Sequence, residues 1–224
     1  MYDWPECRAD IDEQWVALRD RLRAAGVDAP DRLVRRNADM PSVPGGIRCW
    51  GPMELGLAPH VKIVGQQDYS AVQGGKGELY SSAIVVPRPV ADYVPAPCDG
   101  KPNLPLERLR GKRFVYNSPD SMSGILGLER DLASLNEHLR IFSKRLESGG
   151  HRHSIIAVAE GKADVAAIDC FTWDLAKRFE STVGALTVVG WTGRRQGLPF
   201  IASRHIPLEI VELLVLELKN SAPT

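Results

Sequence analysis

No stretch of this chain stays apolar for anything near the roughly 20 residues that a bilayer span requires, so no membrane anchor is read in it. There is no excess of charge either. The 28 Lys and Arg balance 28 Asp and Glu, for a formal net charge of +0. Sequence-independent binding to nucleic acid or to an anionic membrane surface needs a basic excess; any anion site here must be local. Cysteines are few and far apart. Cys7, Cys49, Cys98 and Cys170 form no CxxC pair, which excludes a zinc ribbon, a thioredoxin motif and a dense disulfide framework. The opening MYDWPECRAD has neither the basic n-region nor the apolar h-region of a secretory signal. The residues as they stand therefore lead to the expectation of a cytoplasmic protein with reduced thiols, and of a periplasmic one if the true start lies upstream. Internal repeats, low-complexity tracts, a P-loop pattern and a nucleophile elbow are also missing.

What is present is ordinary for a globular protein: 44% hydrophobic and 25% charged residues in 224, enough for one or two domains. Ile11, Trp15, Leu18 and Leu22 recur at helical spacing, which predicts a helix over 5–25, with Pro5 in its first turn and Gly26 just past its end. The Pro- and Gly-rich segment 28–46 reads as an irregular connection leading into a strand near Cys49. VKIVG (61–65) and LYSSAIVV (79–86) read as buried strands. Six prolines between Pro87 and Pro105 read as an exposed connection between two lobes. Strands are then expected at 112–116, 141–146, 163–168, 186–190 and 198–202. Helices are expected at 125–135, 154–160, 171–179 and 208–218. Alternating strands and helices predict an α/β fold with mostly parallel sheets.

The strongest chemical signal is the strand–turn–helix FVYNSPDSMSGILGLERDLA. Ser118, Asp120, Ser121 and Ser123 crowd the turn, and Gly124 permits close backbone approach. The first N–H groups of a helix lack intrahelical partners and sit at the positive end of its dipole. Hydroxyls beside them suit phosphate-like oxygens. Plain capping is the other reading of the same serines. Asn117 and Asp169 end buried strands, where ligands bind in open α/β sheets, and His151 precedes a helix in a glycine-led turn. Asp169 can equally cap the helix after it, and His151 can be a solvated turn residue. His151 and His153 lack a third ligand at zinc spacing, so no metal and no other cofactor is expected. Cys170 reads as packing rather than as a nucleophile. Arg194 and Arg195 read as a solvated loop. Tyr80, Ser81 and Trp50 are weaker candidates, the first two for their hydroxyls and the last as a possible cleft residue.

Four stretches carry a resemblance: YSSAIVV, GKRFVYNSPDSMSGILGLERDL, SGGHRHSIIAVAEGKADVAAID and VVGWTGRRQGLPFIASR. With the MYDWPE start, they resemble the phosphate/phosphonate-binding proteins of ABC importers, which have the type 2 periplasmic-binding-protein fold. The resemblance implies two α/β lobes around a cleft, one of 1–86 plus 197–224 and one of 87–196. Hinge strands would cross near 83–88 and 193–198, and the first lobe would be abbreviated by the short 28–46 connection. It implies that Ser121, Ser123 and Gly124, with Ser118 nearby, grip the phosphorus-bound oxygens. His151, Asp169, Tyr80, Ser81 and Trp50 would complete the site. The function it implies is non-catalytic binding of phosphate, phosphite or phosphonate for an ABC uptake system. The partners would be that small oxyanion and an ABC permease, without nucleic acid and without direct membrane insertion. An enzyme or a cytosolic sensor on the same fold, acting on a phosphorylated or carboxylated metabolite, is the alternative. A carboxylate such as Asp169 belongs beside an anion only if the ligand carries a proton for it; phosphate and phosphonate do and sulfate does not.

Overall fold

The apolar runs in the middle of the chain fold as the interior strands of one sheet. This is seen in a computed structural model that describes residues 2–33, 35, 45–47, 50–88 and 92–220. The chain divides into two compact units: unit 1 holds Tyr2 and Asp68–Gly197, and unit 2 holds Asp3–Gln67 and Leu198 onward.

Unit 1 is built on a five-stranded sheet. Its strands are β4 (Ser82–Pro87), β5 (Arg113–Tyr116), β6 (Lys144–Glu147), β7 (Val165–Asp169) and β8 (Leu186–Trp191), in the order β6-β5-β7-β4-β8. β5 runs parallel to β6 and β7, but β4 is antiparallel to both of its neighbours. Four of its five strands thus run in one direction and β4 runs against them. β7 and β8 are buried along their whole length, which their uninterrupted apolar runs require. β6 is the charged sequence KRLE, and it lies at an edge where charge deters pairing with other chains. The strand expected at 141–146 is displaced for this reason. Leu139 and Phe142 belong to the core under a short turn, and the strand follows them. Helices α3 (Leu106–Leu109), α4 (Gly127–Ser134), α5 (His151–Ala159) and α6 (Cys170–Phe179) complete the unit, with a two-stranded ladder of β3 (Leu79–Tyr80) and β9 (Arg195–Gln196). Its main core gathers Ile84, Leu109, Phe114, Leu128, Leu132 and Val165, each 0% exposed.

In unit 2, β1 (Gly45–Ile47), β10 (Pro199–Ser203) and β2 (Val61–Gln66) form an antiparallel sheet in the order β1-β10-β2. β1 lies in a segment expected to be irregular. Helix α1 (Arg8–Ala24) follows the turn at Pro5, as its periodicity predicts, and α7 (Leu208–Asn220) packs on β2. Trp50 begins a short helical turn, α2 (Trp50–Pro52), and the strand expected around Cys49 lies outside the described residues. Among the described residues no helix is long and apolar enough to cross a membrane.

The boundaries differ from the expected ones. β4 was assigned to the terminal lobe, yet it is an interior strand of the unit 1 sheet. The Pro-rich stretch after it begins and ends in unit 1, where its Val94 and Asn103 hydrogen-bond to β8. The chain crosses instead before Asp68. The chain passes between the units again after Gly197.

Candidate functional site

β5 delivers the chain to the turn at Asn117–Ser121. The polypeptide then winds through a wide, π-type turn, Met122–Leu126, into α4. The helical segment therefore starts three residues before the periodicity of Ile125, Leu128 and Leu132 suggests. Ser121 is its N-cap, and its Oγ accepts from the Gly124 N–H at 3.0 Å. Ser118 supplies the carbonyl that accepts from the Ser121 N–H at 3.1 Å. Ser123 Oγ lies 2.8 Å from His151 Nε2 and 3.4 Å from Ser121 Oγ. Gly124 lets the Asn117 side chain close on the turn: a Cβ there would lie 1.8 Å from Asn117 Oδ1, which would have to shift. Two hydroxyls, a glycine and an imidazole thus converge at this turn. His151 is the first residue of α5 and is buried, not a solvated turn residue. Burial drives its imidazole down to about 3, so the ring is neutral at physiological pH. Two polar atoms in this cluster have no hydrogen-bond partner: His151 Nδ1 and Asn117 Oδ1.

Ser82, the last hydroxyl of the Tyr80–Ser82 stretch, ties the cluster to the sheet. Ser82 Oγ donates to the Ser123 carbonyl at 2.9 Å, and Ser82 N–H donates to Thr192 Oγ1 at 2.7 Å. Ser82 stands directly opposite Asp169 in the β4–β7 pairing, which places the acid one strand from the serines. Asp169 is 0% exposed. Its Oδ1 accepts from the Thr172 N–H at 2.9 Å as the cap of α6, and its Oδ2 accepts from the Tyr2 hydroxyl at 3.0 Å. Burial lifts the carboxyl to about 6, against the Thr172 N–H and the Tyr2 hydroxyl, which stabilise the ionised form. Tyr80 is buried and stacks on Tyr69 with ring centroids 5.4 Å apart. Ser81 is buried, and its carbonyl accepts from the Cys170 N–H at 3.1 Å. Trp50 belongs to unit 2 and is half-buried. Tyr2 and Tyr69 were missed; isolated tyrosines in no repeating pattern carry no signal that could have found them.

Two loop residues behave unlike their sequence reading. Arg195 is no solvated cation: its Nη2 bonds both oxygens of Asp131 at 2.8 and 2.7 Å, and Asp131 Oδ2 also accepts from the Gly193 N–H. Arg194 donates to the carbonyls of Cys98 and Pro97. The cause is that the carbonyls of the Pro-rich loop and the buried carboxylate of α4 both need donors. Cys170 is buried beside Asp169, and burial and that charge push its thiol well above the usual range. A thiol held protonated in this way is a poor nucleophile.

Solved structures place the fold first. A protein of Xanthomonas citri, XAC2383, solved bound to a chloride ion, aligns over 97% of this chain and 80% of its own, with TM-score 0.67 and 16% identity. A binding protein component of an ABC phosphonate transporter from Pseudomonas aeruginosa aligns over 95% and 68%, with TM-score 0.63 and 16% identity. PhnD1 from Prochlorococcus marinus, solved with methylphosphonate, aligns over 73% of this chain at TM-score 0.54 and 22% identity; the chain spans 57% of that protein's length. The fold is that of the type 2 periplasmic binding proteins. The chain belongs to the family described as ABC transporter, phosphonate, periplasmic substrate-binding protein, whose sequence model matches residues 58–218. Among curated proteins none matches it.

Proposed function

We propose that this chain binds a phosphorus oxyanion, namely phosphate, phosphite or a phosphonate. It would do so as the non-catalytic solute-binding component of an ABC uptake system, working in the periplasm with an ABC permease as partner. The observation that carries the reading is the Ser121–Ser123–His151 cluster at a helix start, with two buried polar atoms left unmet. Leaving such atoms without partners is unfavourable; Asn117 Oδ1 only accepts and would take a ligand P–O–H, while His151 Nδ1 donates to a ligand oxygen when it bears the ring proton. Whichever ring nitrogen bears the proton, His151 Nδ1 remains a group for the ligand to meet. The anion is held by hydroxyls and the first N–H groups of the helix, where the dipole is positive. His151 is neutral, so the cluster itself offers no formal cation. An ionised Asp169 one strand away then favours a ligand that still carries a P–O–H to donate.

The test is a thermal melt of the protein with phosphate, phosphite, methylphosphonate and sulfate at millimolar concentration. A ligand at 100 times its Kd adds about 2.7 kcal/mol, which for a chain of this size raises Tm by roughly 5–11 °C. At least one phosphorus oxyanion is expected to give that rise, and sulfate to give less. No rise with any of the three removes the reading.

A further inference from the structure

The chain passes between its two units after Tyr2, after Gln67 and after Gly197. Within unit 1, residues at all three passages meet in one place. Tyr2 Oη lies 2.9 Å from Tyr69 Oη, and it donates to Asp169 Oδ2 at 3.0 Å. The Tyr69 ring lies against Gly197, where an added Cβ would come within 2.1 Å of ring carbon Cε2. Phe171 packs on both rings, with centroids 4.6 Å from Tyr2 and 6.4 Å from Tyr69. A phenol has one hydrogen to donate. Tyr2 directs its own to Asp169, so the hydrogen between the two phenols is Tyr69's. The donors therefore run in one direction, from Tyr69 to Tyr2 to the carboxylate. Capping of α6 needs only the bond from the Thr172 N–H. The bond from Tyr2, 167 residues distant in the chain, serves something else.

We propose that Tyr2, backed by Tyr69, is a positioning residue for Asp169: its hydroxyl fixes one carboxylate oxygen, favours the ionised acid, and so sets the lower pH limit of oxyanion binding. This rests on the oxyanion reading of the site. Among the described residues, the titratable side chains that face Asp169 are Tyr2, Tyr69 and the adjacent Cys170. Burial and the Asp169 charge keep the protons on Tyr2 and Cys170. His151 beyond them stays neutral down to about 3. Of these described side chains, Asp169 itself, lifted by burial to about 6, is then the one that titrates between pH 5 and 8. An ionised Asp169 accepts the ligand's P–O–H, so affinity rises as the acid ionises. It falls again when the ligand loses its last proton.

Tyr2→Phe keeps the ring on Phe171 and removes one donor. The carboxyl then titrates higher. The acid limb of the affinity profile moves up by roughly one pH unit, about tenfold weaker binding at pH 5. The alkaline limb belongs to the ligand and stays in place. Tyr69→Phe moves the acid limb in the same direction by less. Two measurements check this: calorimetric titration of methylphosphonate from pH 5 to 9 into the wild type and both variants, and carboxyl carbon NMR titration of Asp169 without ligand. A wild type that binds, with a Tyr2→Phe acid limb and Asp169 titration both unmoved, overturns the positioning role. An Asp169 titration that moves in a protein binding no phosphorus oxyanion keeps the positioning role and removes the oxyanion reading.

Discussion

Strands β7 and β8 of unit 1 are buried at every residue, whereas β2 of unit 2 buries only Val64 and leaves Ile63 47% exposed. The polar residues follow suit. Unit 1 buries Ser82, Ser121, Ser123, His151, Asp169 and Thr192, and its Asp131–Arg195 pair keeps side-chain exposures of 12% and 16%. In unit 2 the charges are paired at the surface: Arg35 with Asp3 and Asp12, and Arg23 with Asp31. Buried polar groups must be satisfied by fixed partners, while surface charges have water as an alternative. A change at one atom of these buried groups is therefore expected to alter stability, whereas the Arg35 and Arg23 pairs of unit 2 are expected to respond to salt.

The largest expected effect is at the Asp131–Arg195 pair. Breaking a buried pair by removing one partner typically costs about 3–5 kcal/mol, because the other charge is left uncompensated. Arg195→Met is expected to fall in that range by urea denaturation. Asp131→Asn leaves the Arg195 guanidinium facing an amide and unlatches the Gly193 N–H. A double variant, Asp131→Asn with Arg195→Met, should recover part of the loss. Single variants within 1 kcal/mol of wild type would place the pair in the same class as the surface pairs of unit 2.

Next in size is a pH effect with two opposing signs. His151 has its folded value lowered from 6.5 to about 3. The unfolded chain binds a proton that the fold refuses, so this stability is present above pH 6.5 and is lost as pH falls towards 3. Asp169 has its folded value raised from 3.8 to about 6. The fold keeps a proton that the unfolded chain gives up, so this stability is present below pH 3.8 and is lost as pH rises through 6. Between pH 6 and 4 each group contributes about 1.4 kcal/mol per pH unit, with opposite sign. They offset one another in the wild type. Over that window Asp169→Asn should lose roughly 3 kcal/mol on acidification, and His151→Gln should gain a similar amount. Urea midpoints at pH 4, 5 and 6 measure this; identical profiles in all three proteins would show that neither residue is held as described.

Ser121 and Ser123 separate binding from capping. Losing a cap costs about 1 kcal/mol of stability. Losing a hydrogen bond to a charged ligand costs about 1.5–3 kcal/mol of affinity, or 10- to 150-fold in Kd. Ser121→Ala should show both losses. Ser123→Ala should lose affinity mainly, since its Oγ faces His151 and caps no N–H. Normal phosphate or phosphonate affinity in both variants by calorimetry would reduce the serines to caps.

Legibility in the sequence follows the same division. Runs such as VAAID and LTVVG announced buried strands because burial on both faces leaves only apolar residues there. Serines before Gly124 announced a helix start because few residue types fill that role. What stayed hidden was non-local. Nothing in ERDLASL or GRRQG says that Asp131 meets Arg195, nor does MYDWP say that Tyr2 reaches Asp169. Strand direction was equally silent: β4 is as apolar as β7, and only the topology makes it antiparallel. Asp169 is legible as the cap of the helix after VAAID, but its second partner is not, since a partner 167 residues away leaves no spacing to read.

The smallest effect is expected where unit 2 carries its charges. Arg35 lies between Asp3 and Asp12 at 2.9 and 2.8 Å, with side-chain exposures of 26%, 29% and 52%. Both carboxylates hold the guanidinium above its ordinary range. Water reaches all three groups, so most of the attraction is screened and part of the rest is offset by the entropy of holding long side chains. At about 0.1 M salt the screening length is about 10 Å, and at 1 M about 3 Å. Arg35→Gln should therefore shift Tm by less than about 2 °C at low salt, and raising the salt to about 1 M should erase the difference. The Arg195→Met deficit in unit 1, shielded from solvent, should persist at the same salt. Melting curves of both variants at the two salt concentrations decide it. A salt-insensitive loss at Arg35 comparable to that at Arg195 would mean that its pair is buried in solution, and the contrast between the two units would fail at that point.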